Sequence, residues 1–262
     1  MFNFYSLYSS SNGNSLLIET EYTKLLIDTG VSCKKIENAL SCINILPSEI
    51  DGILVTHEHI DHVQSLGTFS KKYNIPTYVN NQTLNAMPKQ KDKIPTKNIK
   101  NIEINKTFEI NDLTIKPFSI PHDAINPCGF SILRKDKKIC IATDIGQITD
   151  TVLKNLENSS FIFLESNYDD EKLKNSSYNY ILKKRISGPK GHLSNSSASK
   201  IINHLLNHGL ENVLLGHLSQ ENNCPELAYN TVYNNIPKSY KDTNKITINV
   251  ANKDKITKIE II

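Results

Sequence analysis

Short strand-like runs interrupted at intervals by helical stretches predict an α+β domain of two sheets packed together with helices outside. Two observations carry that reading: each apolar run is short and ends in turn residues, and the 262 residues contain no Pro/Gly/Ser-rich linker and no repeat of short period. The chain is long enough for one large domain or two small ones. Without a linker, a single domain over residues 1–262 is expected.

In order, strands are expected at Asn3 to Tyr8, Ser15 to Glu19, Lys24 to Ile27 and Gly52 to Val55, with helices at Val31 to Leu40, Val63 to Lys72 and Gln82 to Met87. Strands follow at Lys100 to Ile104, Leu113 to Ser119, Gly129 to Arg134 and Lys138 to Ala142. Next come a helix at Thr149 to Leu156, a strand at Ser160 to Glu165, a helix at Ser196 to Asn207 and a strand at Asn212 to Leu215. A helix at Glu226 to Asn234 and strands at Lys245 to Val250 and Lys255 to Ile261 complete the pattern. Met87 to Lys97, rich in Lys and Pro, reads as a solvated surface excursion, and Asn167 to Ser197 as a loop that carries chemistry.

A net charge of +3 with no long basic block does not by itself announce a partner. The five cysteines are scattered and form no C-x-x-C pair, as expected of reduced thiols. The start, Met1 to Ser6, lacks a signal-peptide pattern and no window approaches a membrane span, so a cytoplasmic protein without membrane contact is expected. No stable protein partner is predictable.

The densest chemistry lies in Thr56-His57-Glu58-His59-Ile60-Asp61-His62, directly after Ile53-Leu54-Val55. Neutral imidazoles and ionised carboxylates are the ligands of zinc and related ions. If the strand stays extended, His57 and His59 project to one side and serve one ion. Asp61 and His62 fall where the chain turns into a helix and suit a second. The zincin pattern H-E-x-x-H fails, because the position four after His57 is Asp61 and the segment follows a strand.

Four more candidates each follow a strand-like run, where loops at a sheet edge converge: Asp28, His122, Asp144 and His217. The set H-x-H-x-D-H, with a preceding Asp28-Thr29-Gly30 and later single His, Asp and His, resembles the metallo-β-lactamase fold superfamily over nearly the whole chain. The resemblance implies a four-layer αββα sandwich with metals at one edge. It also implies a ligand set, with His57, His59 and His122 on one metal, Asp61, His62 and His217 on the other, and Asp144 bridging. Asp28 would orient the ligand loop without itself binding metal. Redox-type members carry Glu at the position of His59, and long nuclease members need more residues than lie between Asp144 and His217. Neither matches this chain.

Four further segments, Ser9 to Ser15, Glu165 to Asp169, Gly191 to Asn195 and His217 to Asn223, resemble the YycJ/WalJ-like group of metal-dependent 5′ to 3′ DNA exonucleases. Tyr168 and Asn179 depart from that group's usual residues. The resemblance implies a hydrolase that cleaves DNA phosphodiesters through a metal-bound hydroxide, with two divalent ions, Zn2+ or Mn2+. His192 is the candidate proton donor to the leaving oxygen, and Glu165 the group that orients it. Asp61 is counted with them as catalytic as well as among the ligands. A thioesterase or lactonase using the same site is the alternative, and a non-catalytic regulatory protein stabilised by metal is the second.

The basic residues between Asn167 and Ser197 suit a phosphate backbone, although a solvated face has the same composition. The loop Ser9 to Ser15 could present backbone N–H groups to a phosphate or form a tight hairpin turn. His204 and His208, spaced i, i+4, could chelate a metal, but no carboxylate or cysteine near them in sequence completes a site. They are read instead as a helix-end pair, His208 standing just before Gly209.

Overall fold

The computed structural model describes residues 1–242, 245–253 and 255–261. Its contacts divide the chain into two compact units, Met1–Pro117 with Ala124–Cys128 and Asn252–Ile262, and Phe118–Asp123 with Gly129–Ala251.

The first unit holds a mixed seven-stranded sheet in the order β14-β1-β2-β3-β4-β5-β6. Its strands are β1 (Phe2–Ser10), β2 (Gly13–Thr20), β3 (Lys24–Ile27), β4 (Gly52–Leu54), β5 (Thr77–Val79), β6 (Ile99–Asn101) and β14 (Thr257–Glu260). The β1–β2 pair closes at Ser10 and Gly13, so the Ser9-to-Ser15 loop is a two-residue hairpin turn. From β3 onward the pairing is parallel, Ile27 lying opposite Leu54. Parallel strands need crossovers, and the helices α1 (Cys33–Cys42), α2 (Ile60–Val63) and α3 (Leu66–Tyr73) occupy them. Ser32 caps α1 by accepting from Lys35 N, and Asn74 ends α3 in the left-handed conformation. Ile36 and Leu40 of α1 and Leu66 and Phe69 of α3 pack with Leu17, Leu26 and Ile53 in one core.

The expected helix over Val63 to Lys72 is thus two, broken at Gln64 and Ser65: α2 is a single turn that starts at Ile60, and α3 begins at Leu66. Met87 to Lys97 is not a solvated excursion. After α4 (Asn81–Ala86) it forms α5 (Pro88–Lys91), buries Met87 and Ile94, and places Gln90 Oε1 on Gly67 N at 3.2 Å. β5 and another short strand, β7 (Phe108–Ile110), are too brief for their alternation to stand out in sequence.

The other sheet runs β13-β12-β11-β10-β9-β8-β7, with β8 (Leu113–Ser119), β9 (Cys128–Arg134), β10 (Lys137–Ala142), β11 (Phe161–Glu165), β12 (Asn212–Gly216) and β13 (Thr247–Val250). β10 to β13 are mutually parallel. In the second unit the crossovers include α6 (Asp150–Leu156) and α9 (Asn195–Leu206), whose buried Ala198, Ile201, Ile202 and Leu205 follow the helical i, i+3, i+4, i+7 spacing. They pack on Ile162, Leu164, Val213 and Leu215 of the strands. Truncating a fully buried leucine such as Leu205 is expected to cost about 2–5 kcal/mol. Asn167 to Ser197 is largely helical, with α7 (Asp170–Asn175) and α8 (Tyr180–Ile186) capped by Asp169 and Asn179. The helices missed there are short and polar, so no apolar periodicity reveals them. α10 (Pro225–Asn235) and α11 (Lys238–Lys241) follow β12. Among the described residues no helix is long and apolar enough to cross a membrane.

Candidate metal centre

Apart from His122, which follows the antiparallel strand β8, the candidate ligands of each unit stand just past the carboxyl ends of parallel strands, where open α/β sheets bind ligands. In the first unit the register Ile27 to Leu54 sets Asp28 beside the chain leading into Thr56. Asp28 adopts φ 60° and is buried. Its Oδ1 accepts from Thr56 N at 2.9 Å, and its Oδ2 accepts from Thr56 Oγ1 and His62 Nδ1, both at 2.7 Å. A carboxylate only accepts, so Nδ1 of His62 carries the proton and Nε2 is left as the electron-pair donor. Having donated to Asp28, the Thr56 hydroxyl accepts from His57 Nδ1 at 3.0 Å, which assigns His57 the same tautomer.

His57 has its ring 4.6 Å from that of His59 and 4.2 Å from that of His62. His59 is the residue before α2, and Asp61 lies in its first turn with Oδ2 3.4 Å from His62 Nε2. Asn14, on the hairpin, brings its Nδ2 to 3.1 Å from the same nitrogen. Gly30 is required here: a Cβ on it would overlap the Asp61 carbonyl, and its N donates to Asn14 O at 2.8 Å. Glu58 is turned aside, its Oε1 accepting from Ile125 N at 2.8 Å.

In the second unit Ala142, Leu164 and Leu215 lie side by side, so Asp144, Glu165 and His217 come to adjacent strand ends. Asp144 (φ 59°) and His217 (φ 55°) are left-handed like Asp28. Such backbone costs of order 1–3 kcal/mol and persists where surrounding contacts over-determine it, often at functional sites. Glu165 is fully buried, with Oε2 accepting from Ile145 N (2.8 Å) and Leu193 N (3.0 Å) and Oε1 accepting from His192 Nδ1 (2.7 Å). One carboxylate therefore ties the Asp144 loop to the His192 loop.

Burial works against a charged His192 imidazole, but Glu165, by charge and hydrogen bond, together with Asp144 and Asp123, pushes its pKa up to about 9. His122 donates from Nδ1 to Gly191 O at 3.0 Å, which again leaves Nε2 as the donor of an electron pair, 3.7 Å from Asp144 Oδ1. His217 Nδ1 is 3.5 Å from Asp144 Oδ2. Ligand atoms of Asp144, Glu165, His192 and His217 all fall within 4.8 Å of one another.

A buried amide network, not foreseen in sequence, holds the His217 loop. Asn167 Nδ2 donates to His217 O at 2.8 Å, and Asn223 Nδ2 donates to the carbonyls of Ser166 (2.8 Å) and Asn167 (3.1 Å). Asn195 Nδ2 donates to Asn223 Oδ1 at 3.1 Å. Asparagines are common in this chain, so their type gives no signal, and only the adjacency of the segments they join does. Tyr168 is buried, and burial pushes its phenol up to about 12, so it stays neutral and serves packing.

The donor chemistry fits divalent ions: in His57, His62 and His122 the Nδ1 proton is committed to protein oxygen and Nε2 is presented, and each unit adds a carboxylate, Asp61 or Asp144. Comparison with known proteins agrees. A family model described as the beta-lactamase superfamily domain matches residues 23–217. Exodeoxyribonuclease WalJ of Streptococcus pneumoniae serotype 2 is 38% identical over 237 residues, covering 90% of this chain and 88% of that protein. The chain belongs to the metallo-β-lactamase superfamily, in its WalJ/YycJ-like group.

Exodeoxyribonuclease YycJ of Bacillus anthracis is 35% identical over 224 residues, 85% of this chain and 84% of that protein. Among solved structures, the metallo-β-lactamase fold protein YhfI from Bacillus subtilis superposes with a TM-score of 0.72 at 12% identity, covering 98% of this chain and all of that one. Two mixed sheets with flanking helices are consistent with the α+β class and this superfamily's sandwich fold. Membership in the superfamily implies divalent metal ions, and the His and Asp groups described above are candidates to hold them.

Proposed function

We propose that this protein is a divalent-metal-dependent DNA exonuclease, cleaving phosphodiesters with 5′ to 3′ polarity in the cytoplasm, and that its two units work as one catalytic domain. The observation that carries the reading is the similarity, over nine-tenths of the chain, to a protein named as an exodeoxyribonuclease. The family model runs through both units, which supports the single-domain part.

In this reading His57, His59 and His122 hold one ion, Asp61, His62 and His217 the other, and Asp144 both, the ions being Zn2+ or Mn2+. Bound divalent ions lower the pKa of water and polarise a phosphoryl oxygen. The chain supplies the rest. Asp28 and Thr56 hold His57 and His62 in the ligating tautomer, and Asn167 fixes the His217 loop. With Nδ1 on Glu165, His192 presents Nε2–H to the leaving sugar oxygen, and the Glu165 carboxylate favours the protonated ring.

The substrate strand is assigned to α7 and α8. Lys183, Lys184 and Arg185 crowd the last turn of α8, and Tyr180 and Ile181 are 70% and 80% exposed. A groove of about 520 Å³ whose lining includes Tyr168, Tyr180, Lys174, Lys183 and Lys184, with Asp170 as its one carboxylate, offers an aromatic face beside net positive charge, the pairing that holds single strands. The strand contact leads to the site, because Ile186 O accepts from His192 N at 2.8 Å and Arg185 pairs with Asp123, the neighbour of His122.

The test is cleavage of 5′- and 3′-labelled single- and double-stranded DNA, run beside thioester and lactone substrates. Metal-dependent release of nucleotides from the 5′ end is expected, and it is expected to be lost in H59A and D144A. Turnover of a thioester or lactone with none on DNA would overturn the reading in favour of a small-ester hydrolase.

A further inference from the structure

At the end of α9, the pair His204 and His208 meets a carboxylate from much earlier in the chain, Glu157, 47 positions before His204. We propose that Glu157, His204 and His208 form a separate site for one divalent ion of the zinc type. Glu157 follows the last residue of α6, His204 lies in the last turn of α9, and His208 is two residues past its end. His204 Nε2 stands 3.0 Å from Glu157 Oε1, and His208 Nε2 is 3.9 Å from the same oxygen. The two rings stack with centroids 4.8 Å apart and planes 28° from parallel.

All three ligand atoms fall within 4.8 Å of one another. A tetrahedral zinc ion with bonds of about 2.0–2.2 Å spaces its ligands by roughly 3.3–3.5 Å, so contraction by small side-chain rotations completes the geometry. Those rotations are open to half-exposed groups: the side chains of His204, His208 and Glu157 are 39%, 36% and 26% exposed. Two imidazoles and a carboxylate suit zinc, cobalt, nickel or copper better than calcium or magnesium, which prefer oxygen alone.

The scaffold is suited to a cation. The C-terminal end of the α9 dipole places partial negative charge at this spot. Both chain segments are anchored by last-turn hydrogen bonds, Glu157 N to Leu153 O at 3.0 Å and His208 N to Leu205 O at 2.9 Å. Lys138 Nζ holds Glu157 O at 2.6 Å, and Lys154 adds positive charge near the carboxylate, so the site is weaker than a thiolate-lined structural one. None of the three residues belongs to the catalytic ligand set. A bound ion here braces the far ends of α6 and α9, the helices that follow the Asp144 and His192 loops.

The experiment uses the full-length protein and its H204A/H208A and E157Q variants, dialysed against buffered free Zn2+ and assayed for metal per chain. The double variant is expected to bind one equivalent less than the wild type at saturation and E157Q to bind that equivalent at least tenfold more weakly, with the tighter equivalents unchanged. Zinc titration should raise the Tm of the wild type beyond that of the double variant, whose DNA cleavage rate stays at the wild-type value because the catalytic ligands are intact. Identical isotherms for wild type and double variant, with circular dichroism showing both folded, would overturn the proposal. Loss of DNA cleavage in every protein would instead count against the nuclease reading, which this site does not depend on.

Discussion

Glu165 accepts a 2.7 Å hydrogen bond from Nδ1 of His192 while holding the backbone N–H of Leu193, the next residue, with its other oxygen. Both the orientation and the tautomer of the imidazole are thereby set. Replacing His192 by alanine is expected to lower kcat on DNA by about 10²- to 10⁴-fold with metal binding retained. Rapid-quench kinetics with end-labelled substrate at saturating metal would measure it, and an undiminished rate would remove His192 from the reaction.

The same pair sets a pH dependence. The folded pKa of about 9 lies above the roughly 6.5 of an unconstrained histidine. The pair's contribution to stability is therefore complete below about pH 6.5 and is lost as pH rises through about 9. Activity that needs the protonated ring likewise falls as pH rises and the ring loses its proton. In E165Q the descending limb of the kcat profile is expected to move to lower pH, whereas a limb that stays in place would show that Glu165 does not tune this group.

Asp28 satisfies Thr56 N, the Thr56 hydroxyl and His62 together. D28A is expected to weaken metal affinity by roughly 10- to 100-fold, since the rings of His57 and His62 lose what orients them. It should also lower stability by about 1–3 kcal/mol, because a buried Thr56 N–H is left unsatisfied. Chelator competition and urea unfolding in EDTA separate the two effects.

Asn223 links the segments that carry Glu165 and His217 through Ser166 O, Asn167 O and Asn195. N223A is expected to destabilise the fold by about 2–3 kcal/mol in urea, with the loss reported in the metal-free protein as well. Stability within a few tenths of a kcal/mol of wild type would mean that the other amides carry the loop alone.

Lys184 stands exposed on α8, 5.1 Å over the Tyr180 ring, and Lys183 beside it is half-exposed with Nζ donating to Lys174 O at 2.7 Å. K183E/K184E should raise KM for DNA, leave turnover of a small phosphodiester unchanged, and flatten the salt dependence of binding by roughly 0.7 to 0.9 per lysine. An equal loss on the small substrate would place these lysines in the chemistry and not on the strand.

The legible part of the fold was where apolar periodicity is strong. β1 to β4, β8 to β12, α1 and α9 bury one face or both, so their patterns carry through, and the core of each unit is built from them. Helices α5, α7 and α8 were hidden because they are short and polar, held by caps and packing that a local pattern does not record. Candidate ligands were legible for a related reason: few other roles account for three histidines and an aspartate in six positions.

By itself the sequence determined the family, the inventory of candidate ligands and the strand-end placement of those candidates. Only tertiary structure decided which partner each nitrogen and oxygen has: Asp28 with Thr56 and His62, Glu165 with Ile145, Leu193 and His192, Asn167 with the His217 carbonyl. The same holds for Glu157, separated from His204 by 47 positions yet 3.0 Å from its ring. Spacing along a chain constrains side chains only within a strand or a helical turn. Hydrogen bonds and metal ligation act between atoms about 3 Å apart, and which distant segments come that close is fixed by strand register and helix packing.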